Sequence, residues 1–436
     1  MKLTALVAAM ALASTAAFAD PATSNPPTIP GPVGIDAFQA TSQANQYNLF
    51  NIVNRVQDNV APVGGPLSPD WSKYITVSGI IQADANTSSS VGDYTNSSLY
   101  LRNAELYFDA QVNDWLSGHV TVAYGQDPNN ANNYANPVNT SGAANEGNGN
   151  GVQPFTLYAE EAAITLANTD KSPVWLTAGR QMFPFGSTMR NTISGSLVSF
   201  LTYTLDNGVT TGYISPVGVH AELFAGQGPQ PANTAATTIR TWGGNVGYGQ
   251  TTNPLLQYNV DVGFINNLYE NYFIQNNAQQ FTQGGSTNAD PVYHRQTPGV
   301  DVHFDVTSGP FGFIADYATA TRHFEASDLP SGTSTTQGAL PWAYFTEASY
   351  KFDVMNYSTE AAIGYQQSGD AVNIQNDFAL GGYAMPQYRY VVSYGVDVTK
   401  TLNVKVEYRH DIDYKVSDGG AGGSDNVALG QLQLLF

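Results

Sequence analysis

The chain has 436 residues, with 35 acidic and 16 Lys or Arg side chains, a net charge of −19 and no cysteine. That balance excludes nucleic acid and other polyanions as main partners, and the lack of thiols excludes a disulfide framework or thiolate chemistry. Only 12% of residues are charged, against roughly 25% in ordinary globular chains, while aromatics reach 12% with 26 tyrosines among them.

The chain opens on MKLTALVAAMALASTAAFAD. One lysine, an apolar run from Leu3 to about Ala13 and the Ala17-Phe18-Ala19 site read as a secretory signal, residues 1–19, removed after Ala19. The run is well short of the ~20 residues a spanning helix needs, and no later apolar run approaches that length. Without Lys2 the mature chain has 15 basic and 35 acidic side chains, a net charge of −20 (15 − 35). Residues 20–73 form the next unit. The stretch DPATSNPPTIPGP is a proline-rich linker, and Phe38, Tyr47, Phe50, Val53, Val56 and Val60 recur at mostly helical spacing. Asp36 is placed to cap this amphipathic helix and APVGGPLSP ends it. Two placements are open for the helix: outside the following domain, on the periplasmic side, or inside it as a partial plug.

From about residue 74 to residue 436 the period becomes two. In GVDVHFDV, Val300, Val302, Phe304 and Val306 oppose Asp301, His303 and Asp305; in LNVKVEYRH, Leu402, Val404, Val406 and Tyr408 oppose Asn403, Lys405, Glu407 and Arg409. Successive side chains on a strand point to opposite faces, so each segment has an apolar wall and a polar wall. About sixteen such segments begin near Tyr74, Leu99, Trp115, Phe155, Val174, Asn207, Val219, Ile239, Leu256, Pro298, Phe311, Pro341, Tyr357, Tyr388, Leu402 and Val427. The segment at Asn207 is the least regular, and fourteen and eighteen are the neighbouring counts. Links alternate between short ones such as VNDW, SPVG and TSGP and long ones such as Gln126 to Pro154, Gln181 to Asp206 and Asn267 to Thr297. An export signal, alternating strands, tyrosine at strand ends and alternating link lengths predict an all-β fold: an antiparallel up-and-down barrel in the outer membrane, in contact with its lipid.

One strand breaks the period. In LYAEEAAITL, Glu160 and Glu161 are adjacent, so one of them faces outward unless a bulge turns both inward. The compact stretch TAGRQMFPFGSTMR ends a strand and opens the link from Gln181 to Asp206, where Pro184 removes a donor and Gly186 permits a sharp turn. As the third long external loop, this link is the one expected to fold inward. Arg180 and Arg190 flank it, either to grip an anionic ligand or to close ion pairs with loop carboxylates. The polar faces of the strands supply the other lumen candidates: Asp261, Asp301, His303, Asp305, Asp316, Glu347, Glu360, Lys405, Glu407 and Arg409. Their acid excess suits a cation-tolerant pore.

No hydrolase elbow, phosphate loop, zinc-protease helix or dinucleotide fingerprint appears, so neither enzymatic activity nor a cofactor is expected. His410, Asp411 and Asp413 form the densest acid–histidine group, without metal-ligand spacing, where an external loop is expected to begin. The chain stops on QLQLLF, which sets Leu432, Leu434 and Phe436 on the lipid face of a closing strand. A terminal aromatic with apolar residues two and four positions before it resembles the signal read by the outer-membrane assembly machinery.

The ordered segments VSGIIQADAN, LRNAELYFDAQVNDWLSGHVTVAYG, LYAEEAAITL, LTAGRQMFPFG, DNGVTTGY, PQYRYVVSYGVDVTKTLNVKVEYRHDIDY and LGQLQLLF resemble the LbtU-type siderophore porins of gamma-proteobacteria. The resemblance spans roughly residues 74–436 and is weakest in the loops. It implies an outer-membrane barrel that imports a ferric siderophore or iron without a globular plug, and it carries over no ligand residue. A general diffusion porin with mild cation preference is the alternative. Homo-oligomerisation is compatible with either.

Overall fold

A computed structural model describes residues 75–89, 95–113, 115–125, 156–168, 171–215, 218–228, 230–231, 239–250, 255–271, 273–275, 292–377 and 383–436. The expected signal sequence, linker and amphipathic helix lie outside the described residues.

Sixteen antiparallel strands close into one barrel in simple sequence order. They are β1 (Ile75–Ser89), β2 (Thr95–Gln111), β3 (Leu116–Gly125), β4 (Thr156–Ala167), β5 (Val174–Met182) and β6 (Leu205–Ile214). Next come β7 (Val219–Gly226), β8 (Thr241–Gln250), β9 (Gln257–Ile265), β10 (Gly299–Ser308) and β11 (Phe311–Ala320). The last five are β12 (Trp342–Val354), β13 (Tyr357–Gly369), β14 (Tyr388–Asp397), β15 (Leu402–Ile412) and β16 (Ser424–Leu435). Each expected segment is a strand, including the irregular one at Asn207, and the observed starts fall within about four residues of the expected ones. Pairing of β1 with β16, from Ile80↔Leu435 to Ser89↔Asn426, removes the free edges.

Alternation fixes which side faces what. On β10, Val302 is exposed while Asp301 and His303 are buried; on β16, Leu432 and Leu434 are exposed while Gln431 and Gln433 are buried. The outward residues make an apolar surface with an aromatic row near each end. One row joins Tyr317 to Trp342 (6.5 Å), Tyr344 to Tyr365 (6.5 Å) and Tyr365 to Tyr390 (5.4 Å). The other joins Phe311 to Tyr350 (4.9 Å) and Phe352 to Tyr394 (6.3 Å). Trp342 and Phe352 both lie on β12, ten positions apart. That separation is about 33 Å along a strand, or about 25 Å of height at a ~40° tilt, the thickness of a bilayer's apolar layer.

Two bulges adjust the inner wall. Between β3 and β4 the register slips from Thr121↔Glu161 to Val122↔Ala159, leaving Glu160 as the extra residue. Glu160 and Glu161 therefore both turn inward, and neither charge meets lipid. Between β1 and β2 the slip from Gln82↔Asn103 to Ala83↔Leu101 makes Arg102 the extra residue, and its Nη1 reaches the buried Asp84 at 2.8 Å.

Candidate functional site

The link between β5 and β6, residues 183–204, enters the barrel. Gly186 takes φ 80°, the left-handed turn expected there. A single short helix, α1 (Ser199–Thr202), turns the chain back with all four residues buried. Phe183, Phe185, Leu197 and Leu201 pack with Phe224, Ile265, Ile314 and Phe345 of the wall in one apolar cluster. Among the described residues this apolar cluster joins the loop and the wall to the links between β9 and β10, β11 and β12, and β13 and β14.

In a ring of sixteen strands, the point facing the β5–β6 link is the β13–β14 pair, and the loop reaches that side. The Asn191 backbone N–H donates to Glu347 Oε1 of β12 at 2.6 Å. The Leu197 N–H donates to Gln366 Oε1 of β13 at 2.8 Å. Arg389 of β14 donates from Nη1 to the Gly195 carbonyl at 3.1 Å. On β15, Glu407 accepts the Ile193 and Ser194 N–H groups and the Ser194 hydroxyl. Lys405 donates to the Asn191 carbonyl, and Arg409 Nη1 donates to Ser194 Oγ at 3.0 Å. At the tip, Ile193 is buried with Val427 and Leu429 of β16.

These anchors are charged and buried: Arg389 is 1% exposed and Glu407 3%. A buried charge survives only where partners replace its water. Arg389 is matched in two-point fashion by Asp411, Nε to Oδ1 at 2.8 Å and Nη2 to Oδ2 at 3.0 Å, and Arg409 Nε lies 3.0 Å from the same carboxylate. Asp411 is thus a strand residue that orients two arginines, rather than the solvated loop group its position suggested. His410, one residue earlier, turns to Asn426 instead (2.8 Å), since neighbours on a strand point oppositely.

Several of the lumen candidates stand together beside the root of the loop. His303 lies between Asp305 (2.9 Å) and Asp316, and Asp261 is bonded to His220. Asp301 of β10 is buried on the same wall. Asp305, Ser349, Lys351 and Glu360 line a small, partly open recess together with Met189 and Asn191. Arg180 and Arg190 have separate partners: Arg180 Nε donates to the Glu160 carbonyl at 2.8 Å, and Arg190 Nη1 to Thr188 of its own loop at 3.4 Å.

Sequence reasoning missed Gln366, Arg389, Asp411 and the group on β2–β4. There His119 contacts Asp109 at 2.8 Å and Thr121 at 2.9 Å, with Glu161 3.8 Å away. The loop meets that side through Tyr203, whose hydroxyl donates to Glu160 Oε1 at 3.1 Å. Burial, reinforced by the Glu160 charge, pushes the Tyr203 phenol well above its ordinary pKa, so it stays a donor. Arg389 already stood on the polar face of the YRYVVSYGVDV alternation, and that was the available signal. Among the described residues no group of three or more His, Cys, Asp or Glu is arranged to hold a metal ion.

No family model matches the chain. It is similar to a UPF0422 protein of Coxiella burnetii, 25% identical over 403 residues, which cover 89% of this chain and 77% of that protein. A UPF0422 protein of Legionella pneumophila strain Paris is 24% identical over 334 residues, 76% of this chain and 57% of the relative, so the chain spans little more than half of that protein. Among solved structures, OprB of Pseudomonas putida matches with TM-score 0.53 at 11% identity, over 83% of this chain and 94% of that one. The outer membrane channel DcaP of Acinetobacter baumannii matches at TM-score 0.49 and 14% identity, over 83% and 97%. At 11% identity the likeness to OprB is one of fold alone, a closed barrel.

Proposed function

We propose that this protein is an outer-membrane uptake channel whose lumen is narrowed by residues 183–204, and that its solute is a ferric siderophore or iron. The observation that carries the channel reading is the loop itself. Wall residues on β12 to β15 spend buried charges on holding its backbone inside the barrel, and the apolar outer belt suits a bilayer. The solute rests on the sequence resemblance to LbtU-type porins. Saturable iron uptake, competed by excess ferric siderophore, is expected in cells carrying the gene, with poor growth in low iron when it is deleted. Normal iron uptake by the deletion strain sinks the solute assignment.

A second reading is favoured by the carboxylates on β9 to β11. Lys405, Arg389 and Arg409 are engaged by the loop and by Asp411, while Asp261, Asp301, Asp305 and Asp316 lie together on one wall with two histidines, His220 and His303, among them. A diffusion channel with mild cation preference then gives solute flux linear in concentration and no competition.

A further inference from the structure

Basic groups are scarce in this chain, yet four positions capable of positive charge meet on one external rim. Residues 294–295 lie just before β10, and residues 322–323 follow β11, so the two strand ends bring them together. The two segments are tied reciprocally. Arg295 Nη2 donates to the His323 carbonyl at 2.6 Å, and Arg322 donates to the Gln296 carbonyl. Beneath them Asp328, fully buried, accepts the His294 and Arg295 backbone N–H groups at 2.9 and 3.1 Å and holds the His294 ring at 2.6 Å. His323 Nδ1 bonds the Gly338 carbonyl at 2.9 Å. The side chains of His294 and Arg295 are 44% and 43% exposed, and Arg322 and His323 are also exposed.

The two guanidinium groups are thus fixed on facing segments, each by a backbone carbonyl of the other segment. Among the described residues two carboxylates stand against this group: Glu325, 3.1 Å from Arg295 and itself 44% exposed, and the buried Asp328 beneath His294. A guanidinium has five N–H donors, so each arginine keeps donors for a multi-oxygen anion beyond its carbonyl tie, and Arg295 does so beyond its pair with Glu325 as well. The rim also stands beyond the outward aromatics Tyr317 and Trp342, where headgroups lie.

We propose that His294, Arg295, Arg322 and His323 form an external site for a phosphate group, separate from the lumen and independent of the solute assigned above. The phosphate can come from an outer-leaflet lipid headgroup or from free solution, and the test has an arm for each. The purified full chain is titrated with inorganic phosphate at low salt, followed by phosphorus NMR line broadening. In parallel, lipopolysaccharide or phosphatidylglycerol is added to the detergent-solubilised barrel and bound lipid is counted by native mass spectrometry.

Binding in either arm is expected to fall at least tenfold in Arg295→Gln/Arg322→Gln. It is expected to stay unchanged in Lys415→Gln, which removes one exposed external charge elsewhere, and to rise in Glu325→Gln. Migration of the unheated barrel on detergent gels confirms that each variant is folded. Loss in the lipid arm alone identifies a headgroup site, and loss in both identifies a general phosphate site. Wild-type binding no tighter than that of the double variant, or equal loss in Lys415→Gln, overturns the proposal.

Discussion

Glu407→Ala removes the anchor on which residues 193–194 converge. Its carboxylate accepts two backbone N–H groups and one hydroxyl from the loop while only 3% exposed. Hydrogen bonds to a charged group contribute about 1.5–3 kcal/mol each, and members of one network do not add in full. A loss of about 3 kcal/mol in loop docking follows, which is roughly a 150-fold shift toward the undocked loop. The buried Lys405 also loses a neighbouring charge, which pushes in the same direction. In planar bilayers the variant is expected to show larger and noisier conductance steps than wild type. Hydrogen exchange at Asn191 to Leu197 is expected to quicken while β14 and β15 stay protected. Unchanged conductance together with unchanged exchange refutes the claim that Glu407 holds the loop.

Deleting Phe436 removes both backbone bonds to Gly79, N–H to carbonyl at 3.1 Å and carbonyl to N–H at 2.8 Å, so barrel yield in the outer membrane is expected to drop. Gly79→Val is expected to lower yield similarly, because a Cβ there meets the Phe436 ring at 2.6 Å and the Glu105 carbonyl at 2.7 Å; wild-type yield in both variants counts against the closing-strand account. Glu270, between β9 and β10, is held well above the ordinary carboxylate pKa by burial and the Asp206 charge, with Thr241 donating to it. A raised folded value means that its stabilisation is complete below the ordinary value of about 4.3 and is lost as pH rises toward the folded one. Wild type should therefore lose thermal stability relative to Glu270→Gln from pH ~5 upward, and parallel curves for the two would remove Glu270 from the explanation.

Much of this barrel is written locally. A two-residue period survives because one face meets lipid and the other does not, so strand existence and facing could be read from segments such as GVDVHFDV without knowing any pairing. The bulge at Glu160 was legible for the same reason, since two adjacent charges cannot both face inward on a regular strand. Arg102-Asn103, two polar residues in succession, carries the equivalent signal for the bulge between β1 and β2. The anchors of the loop were less accessible. Glu347, Lys405, Glu407 and Arg409 could be placed on the inner wall, but their partners lie 156 to 215 positions away in sequence, for example Asn191 to Glu347 and Ser194 to Arg409. Alternation says which way a side chain points and nothing about what arrives there. Asp411 shows the cost of reading composition locally: an acid–histidine run at a strand end looked like solvated loop, while Arg389 on the neighbouring strand made it a buried partner. The external basic rim was invisible because it joins segments on either side of a strand pair.

The central claim is that a loop tied across the lumen makes this barrel a narrow, solute-restricted channel. Single-channel recording of the purified full chain in planar bilayers, with and without added ferric siderophore, tests it most directly. The expected result is discrete conductance steps that the siderophore blocks saturably. Bilayers that stay closed contradict the channel, and steps that persist unblocked contradict the solute.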